Sequence, residues 1–236
     1  ACSQIWWDNS DAENQGVKFT KYPVHIDGLA LLTSIDLQRQ ALDPTAPLPT
    51  AIEIQLSEST DPREESRGII NDVIIKGHPI LKTHAWGNGI VLENVLHFVI
   101  SKFNFIGNLY DHTRTASKDA IRITGDASKP VEIHCSDIWA WNCDVGLHVE
   151  GAVEGVNVQR GVFVNLNNGI RMNIKEVANN LPHHSISYTH INAFSVGVNI
   201  RNSSSAYVSN CDFLVNLREG NPGIGIQFDN CLNSSI

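Results

Sequence analysis

A short phrase, in which a small residue precedes two apolar residues that are separated by one residue of any type, returns six times between residues 89 and 228. The copies begin 23 to 31 residues apart, which is too long for one strand pair and fits one coil of a solenoid. The alternation within each copy is typical of a strand with one buried and one exposed face. The copies are residues 89–92, 120–123, 146–149, 169–172, 197–200 and 225–228.

Two other alternating phrases recur between these copies. One is seen at residues 101–105, 136–140, 160–164, 189–193 and 209–213, and a shorter one precedes it at residues 131–133, 156–158, 186–188 and 207–208. Three short strands in every repeat, stacked repeat on repeat, predict an all-β fold, a right-handed single-stranded parallel β-helix. In the first of these phrases we expect Phe103, Ile138 and Val162 to face inward, and Trp139 and Phe163 to face outward.

A corner is predicted directly after the repeated phrase. A tight corner that needs a left-handed backbone selects asparagine or glycine, and stacked asparagine amides can hydrogen-bond from one coil to the next. The residues at this place in the six copies are Asn94, Gly125, Gly151, Asn173, Asn202 and Asn230.

The first part of the chain lacks the repeat and holds most of the prolines. Asp27 is suited to cap a helix over residues 28–42, and residues 50–56 alternate like a strand. We therefore predict an irregular N-terminal cap over residues 1–69 and a parallel β-helix over residues 70–236. Because the sequence stops where the next strand is expected, we also expect further coils beyond residue 236.

Composition narrows the possible functions. The net charge of −8 over 236 residues provides no basic field for phosphates, which argues against nucleic-acid binding. No apolar run reaches the roughly 18 residues of a membrane span, so we expect no membrane insertion. The five cysteines lack metal-site spacing; we expect free thiols, no metal and no cofactor.

An asparagine-rich turn leading into a Gly-Ile strand, as in residues 158–172 and again in residues 208–216 with 225–228, resembles coils of the pectate-lyase-like superfamily. That superfamily includes polygalacturonases, polysaccharide lyases, epimerases and the trimeric tailspikes of bacteriophages. The chain lacks the Asp-Asp pair, Gly-His-Gly and Arg-x-Lys of polygalacturonases. The resemblance therefore implies a tailspike-like homotrimer, extracellular or on the virion surface, that binds a bacterial surface glycan or another acidic polysaccharide.

The outward positions of the repeated phrase should form two polar ladders at the coil spacing of about 4.8 Å. Arg122, His148 and Arg171 fall in successive copies of one ladder, and Glu150 lies in the other. Such a cationic strip is suited to the carboxylates of an acidic sugar. The alternative is a solvated sheet face on which the arginines pair with Glu150 and its neighbours.

Catalytic candidates stand at the edge of this strip. Asp119 and Asp144 come from adjacent copies, so their carboxyl groups can flank a glycosidic bond as acid and base, with His148 as proton relay. If the substrate is a uronate, β-elimination with His148 or Tyr110 as base is the other chemistry. The alternative is that both aspartates only form turns.

Aromatic residues suggest further contacts. Trp139 and Phe163 on a wet sheet suit sugar rings, or else they are covered by a loop or a second subunit. Tyr110 belongs to a long loop that can wall the groove. The predicted function is thus a polysaccharide depolymerase that works by hydrolysis or elimination; the alternative is a non-catalytic glycan-binding or structural protein.

Overall fold

The computed structural model describes residues 3–7, 15–20, 24–33, 49–55, 68–77, 84–109, 116–126, 132–175, 182–216 and 223–236. Within these ranges the chain is all-β, contains no helix, and forms one sheet. The strands are β1 Ser3–Trp7, β2 Gln15–Phe19, β3 Val24–Thr33, β4 Thr50–Gln55, β5 Gly68–Lys76, β6 Asn88–Glu93, β7 Phe98–Ile106, β8 Asp119–Gly125, β9 Glu132–Trp141, β10 Val145–Gly151, β11 Gly155–Gln159, β12 Val162–Ile174, β13 His183–Ser187, β14 His190–Arg201, β15 Ser205–Ser209, β16 Asp212–Val215, β17 Ile224–Asp229 and β18 Asn233–Ser235.

Every strand pairing within the described ranges is parallel, and the pairings sort the strands into three columns. Column A contains β2, β4, β6, β8, β10, the C-terminal parts of β12 and β14, and β17. Column B contains the N-terminal parts of β3, β5, β7 and β9, followed by β11, β13, β15 and β18. Column C contains β1, the C-terminal parts of β3, β5, β7 and β9, the N-terminal parts of β12 and β14, and β16. This order is compatible with the predicted β-helix.

Alternation along the strands builds the core. In column A one buried aliphatic residue from each repeat lies directly beside the next, and each such side chain contributes roughly 1.5–3 kcal/mol through removal from water. The register is unbroken because a slip of one residue would expose the whole set. The row consists of Ile52, Ile90, Ile121, Leu147, Ile170 and Val198.

The predicted left-handed corner is confirmed at four of its six places. Asn94, Asn202 and Asn230 have φ of 54°, 57° and 52°, and Gly151 has φ of 83°. The side-chain amide of Asn230 donates to Asn202 Oδ1 at 2.9 Å, as expected for stacked asparagines. The prediction is wrong for the other two places, Gly125 and Asn173, which are not left-handed; at the second, strand β12 continues to Ile174.

The predicted helix after Asp27 is wrong where the structure describes it, because β3 occupies Val24–Thr33. Gly28, with φ of 62°, makes a corner inside this strand. The two-residue alternation is interrupted at the corner, so the spacing of the apolar residues across it resembles that of a helix. Asp27 accepts a hydrogen bond from the Asn71 amide at 2.7 Å instead of capping a helix. The strand predicted at residues 50–56 is confirmed as β4.

Parallel pairing extends into the predicted cap, because β1 to β4 pair with one another or with β5 and β6. The boundary between the cap and the repeat region at residue 69 stays a prediction. None of the described segments forms a helix with the length and apolar character needed to cross a membrane.

Candidate functional site

The register of column A confirms the first predicted ladder. Neighbouring strands bring its residues side by side, with Arg122 opposite His148 and His148 opposite Arg171. All of them are at least partly accessible, so a polar row runs across the strands at the strand spacing of about 4.8 Å. The complete row is Val91, Arg122, His148, Arg171, Asn199 and Gln227.

The second ladder is confirmed in the same way, and it carries charge pairs. Arg201 and Asp229 lie on adjacent strands and form an ion pair, with 3.0 Å between Nε and Oδ2. Glu150 lies near the middle of this ladder, two residues after His148 on β10. The row consists of Glu93, Thr124, Glu150, Asn173, Arg201 and Asp229.

A buried aspartate fixes His148. Asp119 is the first residue of β8, its side chain is 0% exposed, and its Oδ2 lies 3.2 Å from His148 Nδ1. When the Asp119 carboxylate accepts a hydrogen bond from Nδ1–H, the neutral imidazole keeps its lone pair on Nε2. The His148 side chain is 12% exposed and that of Asp119 is 0% exposed, so only the histidine of this pair can contact a ligand. Asp119 Oδ1 has no hydrogen-bond partner among the described residues.

Glu150 and Arg122 extend the contact between Asp119 and His148. The four side chains form a row in the order Asp119, His148, Glu150 and Arg122. Arg122 donates from Nε to Glu150 Oε1 at 3.0 Å and also from Nη2 to the same oxygen. Glu150 Oε2 lies 3.8 Å from His148 Nε2. Burial raises the pKa of Glu150, but the hydrogen bond and charge of Arg122, with smaller contributions from His148 and Lys118, outweigh burial and lower it. Glu150 is therefore held as a carboxylate.

Arg171 differs from Arg122 in having no side-chain partner among the described residues. It is half-buried on the strand next to His148, and the described part of the chain offers its guanidinium neither an ion pair nor a hydrogen bond. The predicted alternative of arginines paired with Glu150 thus applies to Arg122 and not to Arg171. A guanidinium with its donors unused is a ready binding group for a carboxylate.

Asp144 does not share the position of Asp119. Its neighbour Val145 is the residue opposite Asp119, and Asp144 Oδ1 accepts a hydrogen bond from the Asn167 amide at 3.0 Å. Both carboxylates lie near the buried Cys143: burial first, and then the charges of Asp119 and Asp144, raise the pKa of this thiol. The two carboxylates have separate partners, and their predicted joint role in catalysis stays a prediction.

The outward position predicted for Phe163 is wrong. Phe163 is fully buried, and it lies between Ala140 and Ile191 in the interior row of column C. Val162, predicted to face inward, is instead beside Trp139, and both are exposed. In the sequence, the phrase at residues 160–164 is matched to residues 136–140, but β12 pairs with β9 one residue away from that match. A shift of one residue exchanges the two faces of a strand. Phe163 is therefore a core residue.

The remaining predicted residues are Trp139, which is 41% exposed in column C, and Tyr110, which lies outside the described residues. Sequence reasoning missed Trp141, whose indole stacks on Trp139 with 6.4 Å between ring centroids and 8° between planes. The signal was present, since Trp139 and Trp141 are two apart on one strand and share a face.

A shallow depression adjoins the row of four side chains where column A reaches the corner. Its cavity volume is about 610 Å³. Sequence reasoning named neither Lys175 nor Asn202 as a binding residue. Lys175 lies two residues after Asn173 of the second ladder, so the same alternation would have indicated it. The lining residues are Thr124, Gly125, Glu150, Gly151, Asn173, Ile174, Lys175 and Asn202.

The described residues contain no group of three or more His, Cys, Asp or Glu side chains arranged to hold a metal ion. Comparisons with protein-family models, with curated proteins and with solved structures each found no match to this chain. The resemblance to the pectate-lyase-like superfamily therefore stays a prediction, and function must be argued from the site.

Proposed function

We propose that the parallel sheet winds into a right-handed single-stranded β-helix and that its column A binds and cleaves an acidic polysaccharide. The parallel pairing of successive repeats supports the winding, and parallel strands joined within one sheet are right-handed in nearly all cases. The polar ladders run across the strands, so a linear glycan laid along them contacts one repeat after another. Arg171 and the exposed Lys175 supply positive charge on a protein of net charge −8.

One observation carries the proposal of cleavage: the buried Asp119 orients His148 beside Arg171, which is unpaired within the described part of the chain. A histidine held at Nδ1 presents Nε2 as a general base. In a uronate, Arg171 binds the sugar carboxylate and stabilises the charge that develops when the neighbouring proton leaves. Asp119 acts here as a positioning residue, because its burial keeps it from the substrate.

The step is a β-elimination. His148 Nε2 takes the proton from the carbon next to the carboxylate, and that electron pair forms a carbon–carbon double bond. The bond from the adjacent ring carbon to the glycosidic oxygen breaks, and the leaving oxygen takes a proton from water. The carboxylates of Asp119 and Glu150 flank the imidazolium formed in this way. Hydrolysis by Asp119 and Asp144 is less favoured, because Asp119 is covered and already holds His148.

The biological setting is part of the same proposal. The resemblance of the repeats to tailspike coils supports a homotrimer that is extracellular or on a virion surface and acts on a bacterial surface polysaccharide. A non-catalytic glycan receptor is the second candidate, and the ion pair that already neutralises Arg122 favours it.

The test is incubation with polygalacturonate, alginate and bacterial capsular polysaccharides, following reducing ends and unsaturated-uronate absorbance together. We expect both signals to rise. His148→Gln should lower kcat by about 10²–10⁴-fold, as expected for a lost general base. Arg171→Ala should raise KM and also lower kcat, because Arg171 both binds the carboxylate and stabilises the charge that develops in the transition state. His134→Gln, at an exposed histidine of column B, is the matched control and should leave turnover unchanged.

Two results would overturn the proposed cleavage. Unchanged turnover in His148→Gln would remove His148 as base. Retention of an acidic glycan without either signal, lost in Arg171→Ala, would favour the receptor function on the same surface.

A further inference from the structure

A second surface with a different chemistry lies on column C. The outward residues of β7, β9, β12 and β14 form two adjacent rows there. One row is Asn104, Trp139, Val162 and His190, and the other is Ile106, Trp141, Val164 and Asn192. The residues next to the two tryptophans are thus aliphatic or uncharged amides, in contrast to the charged ladders of column A.

Trp139 is held in place although it is exposed. Its indole stacks on Trp141 with nearly parallel planes, an offset arrangement that aromatic pairs prefer. The stacking fixes the ring of Trp139 while 41% of the residue stays accessible. A ligand that covers this ring therefore does not have to order it first, which lowers the entropic cost of binding.

A polar group suited to hydroxyls lies beside the ring. Asn104 is the direct neighbour of Trp139 on β7, it is half-buried, and its side-chain amide has no hydrogen-bond partner in the described part of the chain. An amide both donates and accepts. On the far side of Val162 lies the exposed His190. An apolar ring between hydrogen-bonding groups matches a sugar, which has an apolar face and a rim of hydroxyls.

We propose that this surface, formed by Asn104, Trp139, Trp141, Val162 and His190, binds uncharged sugar units of a polysaccharide. The inference goes beyond the proposed function, because it concerns another column of strands and needs no cleavage. A second copy of the chain is a poorer occupant, since His190 and Asp212 interrupt the apolar row and interface centres are depleted in charge. Carboxylated sugars are disfavoured because no cation directly adjoins Trp139 in its row.

The experiment is affinity electrophoresis in gels that contain a neutral polysaccharide, either hydroxyethylcellulose, yeast mannan or dextran, with polygalacturonate as the charged comparison. We expect the protein to be retarded by at least one neutral polysaccharide. Trp139→Ala should weaken that binding about tenfold, and Trp139→Tyr should restore most of it. Tyr207→Ala is the matched control, because Tyr207 is 40% exposed on column B, and it should change nothing.

Two variants distinguish this inference from the proposed cleavage. Arg171→Ala should leave neutral binding intact, and Trp139→Ala should leave turnover of short acidic oligosaccharides intact. The inference is wrong if none of the neutral polysaccharides binds, or if Trp139→Ala binds them as well as the unaltered protein. It is also wrong if sedimentation shows that Trp139→Ala only dissociates an oligomer and leaves glycan binding unchanged.

Discussion

Residues other than glycine adopt the left-handed conformation at a second corner of each repeat, between columns B and C. Asp72, Lys102, Asp137 and Arg160 have φ between 50° and 56°, which costs energy in an L-residue. Side-chain contacts between successive repeats offset part of this cost: Arg160 binds both carboxylate oxygens of Asp137, at 2.8 and 2.9 Å. The contact lowers the pKa of Asp137, chiefly through the hydrogen bond.

A buried histidine sets a pH dependence at this scale. His184 is fully buried, accepts a hydrogen bond from the backbone N–H of Val156 at Nδ1, and finds no partner for Nε2 in the described ranges. Burial first, and then the charge of His183, lower its pKa from 6.5 to about 3. As the pH falls, the unfolded chain therefore takes up a proton at this histidine before the folded protein does. The contribution of neutral His184 to stability is fully present above pH 6.5 and is lost as the pH falls toward 3.

Because of His184, we expect the free energy of unfolding to fall by about 2 kcal/mol when the pH is lowered from 7 to 5. The measurement is urea unfolding at both pH values. His184→Asn keeps an acceptor near Nδ1 and removes the titration, so its loss of stability between the two pH values should be smaller by that amount. Equal losses in both proteins would show that His184 is not the group responsible.

At the scale of elements, the small residue of the repeat makes room for a large side chain from column C. A Cβ on Gly146 would lie 2.3 Å from the Phe163 ring, and one on Gly89 would lie 2.7 Å from the Phe105 ring. In the repeat where the interior residue of column C is the small Ala140, the corresponding place in column A is Ala120. Volume is thus conserved between two columns of one repeat.

This complementarity predicts opposite outcomes at equivalent glycines. Gly146→Ala forces its methyl against Phe163 and the carbonyl oxygen of Gly169, and overpacking of this kind costs about 1–3 kcal/mol. Gly225→Ala meets nothing closer than 3.9 Å and should be neutral or stabilising by about 0.4–1 kcal/mol. Urea denaturation of both variants checks the pair, and a similar loss in each would contradict the packing argument.

At the scale of the whole molecule, each described strand forms its backbone pairings only with its neighbours in the column, so stability should vary along the sheet as in other repeat proteins. Strand β10 pairs with β8 on one side and β12 on the other, and most of its residues are buried. Strand β17 pairs with β14, and none of its residues is fully buried. Hydrogen exchange should therefore be on the order of a hundredfold slower in β10 than in β17. Equal protection would indicate unfolding as one cooperative unit.

How far sequence reasoning reached also depends on scale. From β6 to β17, column A was predicted residue by residue, because its phrase begins with a recognisable small residue in every repeat. Strands β2 and β4 were not recognised as part of the column, although residues 16–19 and 51–54 carry the same phrase. Column C was predicted one residue out of place at Phe163, because the phrase at residues 160–164 was matched to residues 136–140, which places Arg160 with Ser136. The residue equivalent to Arg160 is Asp137, since both are left-handed corners, and their side chains do not resemble each other. The helix after Asp27 was wrong because a corner inside a strand imitates helical spacing.

By itself, the sequence determined the all-β character, the repeat, and the two polar ladders of column A, since period and alternation are local properties that survive without knowledge of contacts. Only the tertiary structure decided that Asp119 is covered and holds His148, and that Phe163 packs inward against Gly146. It also decided that Glu150 pairs with Arg122, whereas Arg171 has no partner in the part of the chain that the structure describes. These outcomes depend on which atoms of adjacent strands meet, and a shift of a single residue in the pairing would change every one of those contacts.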